Sequence, residues 1–117
     1  MSQYHEPAGE LSTETRNHVR ALNSLREEIE AVDWYGQRIG PATDPELAKI
    51  LRHNMEEEME HAAMVLEWLR RNMDGWDEPL RTYLFTSKPL LEIEEEAEED
   101  EGGRKRTDLG IGRPKEE

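Results

Sequence analysis

Two long stretches of this chain place apolar residues three and four positions apart, and this spacing constrains the fold more than any other feature. Such spacing puts the apolar side chains on one face of an α-helix. The first stretch precedes Gly40-Pro41 and the second follows it. The two stripes consist of Leu22, Leu25, Ile29 and Val32, and then of Leu47, Ile50, Leu51, Val65, Trp68 and Leu69. The pattern predicts a helical hairpin with one apolar face on each helix.

Capping residues set the limits of the two helices. Ser12 or Thr13 can accept hydrogen bonds from the first turn of helix one. Asp44 is a suitable cap for helix two, and Pro45 suits its first position because proline lacks the N–H that would be unpaired there. Helix two is expected to end shortly before Gly75, which can terminate it.

The rest of the chain predicts little further structure. Asp77 can cap a short third helix that ends near Phe85, and residues 90–93 form a further short apolar stretch. The acidic residues after it are expected to be solvated and disordered. No segment has the alternating pattern of a strand. We therefore expect an all-α chain, with a flexible leader at 1–10, a helical domain at 11–93, a disordered linker at 94–106 and a terminal peptide at 107–117.

Charge and composition exclude several classes of function. The chain has 28 acidic against 15 basic residues and a formal net charge of −13, which disfavours nucleic acid and favours cations as ligands. It has no cysteine, so disulfides and thiolate metal sites are excluded. Residues 1–10 hold no apolar signal stretch, and no apolar run reaches membrane-spanning length. The expected location is the cytoplasm.

The small apolar content predicts self-association. The tail is too polar to fold alone, so the core must come from about the first 90 residues. A hairpin of two helices covers only part of the apolar surface of each helix. A second copy of the chain is therefore expected to cover the remainder.

Glu58 and His61 form a Glu-x-x-His motif inside helix two. At about 100° of rotation per residue, Glu58 shares the bearing of the stripe and His61 lies about 60° to one side. Asn54 is one turn earlier and also faces inward, so its amide can hydrogen-bond to the site. Glu56 and Glu60 point away. One carboxylate and one imidazole are thus expected on the apolar face together.

A metal ion would account for a carboxylate in that position. An unpaired buried carboxylate costs several kcal/mol, whereas two chains that bring Glu28, Glu58 and His61 twice supply four carboxylates for two divalent ions. This ligand mixture suits iron or manganese, and helical di-iron sites use two such motifs and two further glutamates. Two alternatives stay open. Glu58 can pair with an arginine beside a half-buried His61, and Glu28, about 80° from the centre of its stripe, can be a solvated charge.

Five segments together resemble the encapsulated ferritins over about residues 10 to 93. They are Glu27-Glu28-Ile29-Glu30-Ala31-Val32-Asp33-Trp34-Tyr35, Thr43-Asp44-Pro45-Glu46-Leu47, Glu57-Glu58-Met59-Glu60-His61-Ala62-Ala63-Met64, Leu66-Glu67-Trp68-Leu69-Arg70-Arg71 and Arg81-Thr82-Tyr83-Leu84-Phe85-Thr86. The resemblance implies two long antiparallel helices plus a short C-terminal helix, and dimerisation into a ferritin-like four-helix bundle. It also implies a ring-shaped decamer of such dimers.

The resemblance implies residue roles as well. Glu28, Glu58 and His61 match the ligands of a di-iron ferroxidase centre, with two iron ions per dimer interface. Glu27 and Glu30, with Trp34 beside them, match a secondary cation site on the outer face that is associated with calcium. Tyr35 matches a tyrosine near the di-iron centre. The tail segment Leu109-Gly110-Ile111-Gly112 resembles the peptides that dock cargo proteins on the inner wall of an encapsulin shell.

The expected function is therefore ferroxidase activity inside an encapsulin nanocompartment. Ferrous iron would be oxidised at the shared centre and delivered for mineral storage within the shell. The alternative belongs to another class: a non-catalytic acidic helical dimer that acts as an adaptor or as a divalent-cation-binding assembly.

Overall fold

A computed structural model of the chain describes residues 4–108, with side chains described as far as residue 101. All regular structure in that range is helical, which confirms the predicted all-α class. A 3₁₀ turn, Ala8–Glu10, is followed by helices α1 (Thr13–Ile39), α2 (Pro45–Asn72), α3 (Asp77–Tyr83) and α4 (Leu90–Asp108). None of the helices in the described range is long and apolar enough to cross a membrane. The chain divides into two compact units, one ending at Trp76 and the other beginning at Asp77.

Helix α1 begins where its capping residue predicts. The Ser12 hydroxyl accepts a hydrogen bond from the Thr15 N–H at 3.0 Å, which pairs one of the free donors of the first turn. The expected leader is tied to this helix, because the Arg16 guanidinium donates to the Ala8 carbonyl at 2.7 Å. The helix continues through Gly36 and ends at Ile39, just before Gly40-Pro41.

Helix α2 also follows its predicted limits. The Asp44 carboxylate accepts hydrogen bonds from the N–H groups of Glu46 and Leu47, at 2.8 and 3.1 Å, and Pro45 is the first helical residue. At the other end, the Met73 N–H donates to the Leu69 carbonyl at 2.8 Å. The chain then leaves the helix through Gly75, whose φ of 105° is a conformation that glycine adopts without strain.

Helices α1 and α2 pack against each other as an antiparallel hairpin. Near the open end of the hairpin, a ring nitrogen of His18, Nε2, lies 3.0 Å from the Asn72 carbonyl. The same imidazole meets the Trp68 ring edge-on, with centroids 6.2 Å apart. The start of α1 is therefore fixed to the end of α2, which sets the register between the two helices.

The core of the hairpin within one chain is thin. Leu69 is the one completely buried side chain among the described residues. Other members of the predicted stripes remain well exposed: Ile29 is 56% exposed and Ile50 is 50% exposed. Full burial of such a side chain contributes roughly 1.5–3 kcal/mol, so covering the exposed half contributes roughly 1 kcal/mol. The hairpin thus retains apolar surface that a second molecule can bury.

The second unit differs from its sequence prediction. Asp77 is the first residue of α3 rather than its cap, and the helix ends at Tyr83. Helix α4 covers residues 94–106, for which the sequence predicted a disordered linker. Glutamate, alanine, lysine and arginine all have high helix propensity, so a solvated acidic segment can still be helical. A Lys88–Glu96 ion pair at 3.3 Å and the buried Ile93 anchor the start of this helix.

Candidate metal centre

Glu58 and His61 lie one turn apart on α2, and both side chains are partly sheltered. About a quarter of the Glu58 side chain and less than half of the His61 side chain are exposed. The nitrogen Nδ1 of His61 lies 3.7 Å from Oε1 of Glu58. Glu56 and Glu60 are exposed, as their bearings predict. The helix therefore presents one oxygen donor and one nitrogen donor to the same point.

Glu28 reaches that point from α1. Its Oε1 lies 3.7 Å from Nδ1 of His61, and only a quarter of its side chain is exposed. One donor atom from each of Glu28, Glu58 and His61 can be chosen so that all three lie within 4.8 Å of one another. This spacing is short enough for a single metal ion to contact all three. The structure thus brings together the three residues that the sequence proposed as iron ligands.

The electrostatics of the group favour a cation. A hydrogen bond to the Glu58 side chain, followed by burial and the Glu58 charge, raises the pKa of Glu28 above its ordinary value. His61 acts in the opposite direction and lowers it. Like charges this close disfavour the ionised form of Glu28. A divalent ion beside the two carboxyls would offset their repulsion.

The donor set of one chain consists of two carboxylates and one imidazole. Two carboxylates and one imidazole are hard and borderline donors, a combination that suits iron and manganese. A carboxylate-bridged di-iron site in a helical bundle requires four glutamates and two histidines. The three residues of one chain are half of such a set, and each of their side chains is partly exposed.

Glu57 makes a contact that the sequence analysis did not identify. Its Oε1 lies 3.8 Å from Nε2 of His61, and its Oε2 lies 3.8 Å from Nε2 of His53. The spacing of four residues on one helix could have indicated both contacts. Glu57 lies beside the ring nitrogen of His61 that faces away from Glu28 and Glu58. At 3.8 Å this contact is electrostatic rather than a hydrogen bond, and it lies on the side of the imidazole opposite Nδ1.

The other proposed site residues lie around this group rather than in it. Glu27 and Glu30 are exposed, and Trp34 is about half exposed. The Glu27 charge contributes to raising the pKa of Glu28, so its carboxylate lies within electrostatic range of the site. Tyr35 is half-buried, and the Arg38 guanidinium lies 5.3 Å from the centre of its ring. The proposed docking segment, Leu109, Gly110, Ile111 and Gly112, lies outside the described residues.

Comparisons with known proteins agree on one family. The family model described as EncFtn-like matches residues 3–87. A ferritin-like protein of Thermotoga maritima is 65% identical over 111 residues, which are 93% of this chain and 95% of the relative. An encapsulated ferritin-like protein of Rhodospirillum rubrum is 58% identical over 101 residues, which are 85% of this chain and 72% of the relative. A crystal structure of a Nitrosomonas europaea protein superimposes with a TM-score of 0.72 at 57% identity, covering 75% of this chain and 97% of that one.

Proposed function

The chain belongs to the EncFtn-like family of encapsulated ferritin-like proteins, and from that premise we propose that it is a ferroxidase whose di-iron centre forms between two copies. The observation that carries the proposal is the convergence of Glu28, Glu58 and His61 within 4.8 Å on one side of the hairpin. Family membership is consistent with an iron-related function, and the donor set is consistent with iron as the metal.

The shared centre follows from charge and from ligand number. Two chains together supply four carboxylates, which balance the charge of two divalent ions, and two imidazoles, one for each ion. Pairing would also cover apolar side chains such as Ile50, which is half exposed in one chain. The same association therefore completes the ligand set and enlarges the core. We propose that such dimers assemble further into a ring of five.

In the proposed reaction the two ferrous ions are the substrate. Each gives up one electron, and the two electrons with two protons reduce dioxygen to hydrogen peroxide, or hydrogen peroxide to two water molecules. Glu58 would supply the carboxylate that the two ions share, and Glu28 and His61 would each hold one ion. The protein holds the two ions close enough to share one oxidant. Glu27 and Glu30 form an outer site that gathers cations, including calcium, with Trp34 beside it, and Tyr35 lies near the centre.

We further propose that the product is stored inside an encapsulin shell, in the cytoplasm. The C-terminal peptide 107–117 would bind the inner wall of the shell through Leu109 and Ile111. Glycines on both sides of Ile111 allow a short segment to adapt to a shallow groove. Because the ferroxidase residues lie in α1 and α2, docking and oxidation would use separate parts of the chain.

One experiment tests the activity and separates it from the alternatives. Ferrous iron is added without air, the sedimentation coefficient is measured, and air is then admitted while the absorbance of ferric-oxo species is followed. A ferroxidase associates with iron and oxidises it above the background rate. An adaptor shows only the background rate. A redox-silent cation-binding assembly also shows the background rate, but changes its assembly state with calcium or zinc.

A further inference from the structure

The turn between α2 and α3 contains a residue pair that occurs once in the chain. Asp74 precedes Gly75, and no other aspartate or asparagine is followed by glycine. In such a pair the backbone nitrogen of the glycine can attack the side-chain carboxyl of the aspartate, because glycine has no side chain to block the approach. This turn is therefore the part of the sequence where the backbone meets least steric resistance to a reaction with its own side chain.

Both groups that would react are accessible in the folded chain. Asp74 and Gly75 are exposed and lie between the end of α2 at Asn72 and the start of α3 at Asp77. Among the described residues, none donates a hydrogen bond to the Asp74 carboxylate or forms an ion pair with it. The Gly75 N–H donates to no acceptor in that part of the chain either. Neither group has to give up a protein contact before the two meet.

The backbone of the turn permits the approach as well. Inside an α-helix each N–H is directed along the axis and is held by the carbonyl four residues earlier. The bond at the end of α2 runs from the Met73 N–H to the Leu69 carbonyl at 2.8 Å. Gly75 lies beyond it, and its φ of 105° shows that the chain has already left the helical conformation. Rotation of the Asp74 backbone toward the attacking nitrogen therefore breaks no helical hydrogen bond.

Two other aspartates show that exposure alone does not create this situation. Asp33 is also exposed, but it lies within α1 and its carboxylate accepts a hydrogen bond from the Gln37 amide at 3.0 Å. The Asp44 carboxylate is held by N–H groups of α2, and the next residue, Pro45, has no N–H that could react. Asp74 differs from both because its carboxylate and the following N–H are free and the following residue is glycine.

We propose that Asp74 converts to isoaspartate in the folded chain. The Gly75 nitrogen forms a bond to Cγ of Asp74, and one carboxyl oxygen leaves as water with the proton of that N–H and a proton from solvent. The product is a cyclic imide, to which water then adds at either carbonyl. Addition at Cγ restores aspartate. Addition at the backbone carbonyl leaves the peptide linked through Cβ and Cγ, so the chain has changed its connection without changing its mass.

The conversion alters the main chain between α2 and α3. It inserts an extra carbon before Trp76 and leaves a free carboxylate where the backbone carbonyl of Asp74 was. Isoaspartyl methyltransferases esterify the carboxylate of such a linkage, so the converted chain is a substrate for enzymes of that class. Glu28, Glu58 and His61 lie in α1 and α2 and take no part in the reaction. The modification can therefore be measured whether or not iron is oxidised.

Ageing of the full-length chain tests the proposal. The folded protein is kept at neutral pH and at a temperature below its unfolding midpoint, and samples are digested with trypsin. Cleavage after Arg71 and Arg81 releases peptide 72–81. We expect a second chromatographic peak of the same mass to grow with time, and the aged protein to accept a methyl group from an isoaspartyl methyltransferase.

Asp33 is the internal reference for the role of the fold. Its peptide should convert at least about tenfold more slowly than peptide 72–81, because a hydrogen-bonded carboxylate and a helical N–H must both be released there first. In urea, conversion at Asp33 should become faster, whereas conversion at Asp74 should change little because the folded turn does not restrain it.

Two variants assign the modification to Asp74. Asp74→Glu keeps the charge but requires a larger ring, so it should remove both the second peak and the methyl acceptance. Asp74→Asn forms the same imide with loss of ammonia, and it should convert faster than the wild type and gain the mass difference between an amide and an acid. A second peak that persists in Asp74→Glu would place the modification at another residue and overturn the proposal. A folded chain in which Asp74 converts as slowly as Asp33, while urea accelerates both, would overturn it too, because the turn would then protect the pair.

Discussion

Replacing Glu58 with glutamine separates the metal-binding role of this residue from its role in the fold. Glutamine keeps the size of the side chain and removes one negative charge per chain, or two per dimer. In the structure, Oε1 of Glu58 lies 3.7 Å from Nδ1 of His61, inside the group that includes Glu28. The variant therefore leaves two carboxylates to balance two divalent ions.

The expected loss of affinity follows from that charge. Two unit charges about 4 Å apart interact by about 4 kcal/mol at an effective dielectric constant of about 20, and this is a lower bound here because a ferrous ion carries two charges. Each 1.4 kcal/mol corresponds to a factor of ten, so the attraction that is lost amounts to roughly a thousandfold in affinity. Glutamine is easier to desolvate than a carboxylate, and this recovers part of the loss. We expect ferrous binding to weaken by at least about 100-fold and oxidation to fall to the background rate.

The metal-free protein should respond in the opposite direction. Without the Glu58 charge and hydrogen bond, the pKa of Glu28 returns toward its ordinary value. Near neutral pH, the variant should therefore be more stable than the wild type in the presence of a chelator. Loss of activity together with gain of metal-free stability is the signature of a metal ligand.

The assay combines an anaerobic ferrous titration, the rate of ferric absorbance after air is admitted, and urea unfolding with a chelator. Glu56→Gln is the matched control, because it removes the same charge from an exposed position two residues away. Wild-type affinity and turnover in Glu58→Gln would refute the reasoning. An equal loss in Glu56→Gln would also refute it, since the effect would then come from net charge alone.

Three further predictions concern pH, the hairpin and the tail. The pKa of Glu28 in the folded chain lies above its ordinary value of 4.5. The stability that Glu28 contributes to the metal-free chain is therefore complete below pH 4.5 and is lost as the pH rises through the raised pKa. Urea midpoints measured across this pH range should show the loss. His18→Ala removes the contact to the Asn72 carbonyl and the edge-on contact with Trp68, and should lower the free energy of unfolding by about 1–2 kcal/mol in urea. Deleting residues 107–117 should abolish co-purification with a coexpressed encapsulin shell and leave ferrous oxidation unchanged.

Each of these predictions has a control. Glu28→Gln should flatten the pH dependence of the urea midpoint, and a slope that persists would assign it to another group. His53→Ala removes a histidine that is 70% exposed and should change stability by less than about 0.5 kcal/mol. If His53→Ala lowers the free energy of unfolding as much as His18→Ala does, the contacts of His18 with Asn72 and Trp68 do not explain the loss of stability. A truncated chain that still enters shells would place the docking signal outside residues 107–117.

The parts of the fold that local chemistry determines could be predicted from the sequence. The starts of α1 and α2 depend on Ser12 and Asp44, each of which bonds to backbone N–H groups within three residues of itself. The sequence does not predict helix α4 beyond residue 93, because an acidic composition is typical of solvated segments whether they are helical or disordered. Solvent exposure and helix formation are independent properties, and the glutamates of this segment favour both.

In the candidate site, too, the sequence predicts what one helix determines but not what depends on the packing of two helices. Glu58 and His61 share one helix, so a rotation of about 100° per residue was enough to place them together. Glu28 lies on the other helix, and its position depends on how α1 rotates against α2. The bearing of Glu28 on its own helix is therefore equally consistent with a metal ligand and with a solvated charge. The packing of the hairpin removes that ambiguity, because it brings Oε1 of Glu28 to 3.7 Å from His61.

The thin core and the incomplete ligand set have a common consequence for stability. A ligand that binds only the folded assembly stabilises it by about 2.7 kcal/mol at 100 times its dissociation constant. For a hairpin with one completely buried side chain among its described residues, that amount is large. If the ions bind only between two chains, iron should raise both the unfolding midpoint and the sedimentation coefficient at the same ferrous concentration. A rise in the midpoint of a chain that remains monomeric would show that the three donors of one chain bind iron without a partner, and it would end the argument that binding requires a shared centre.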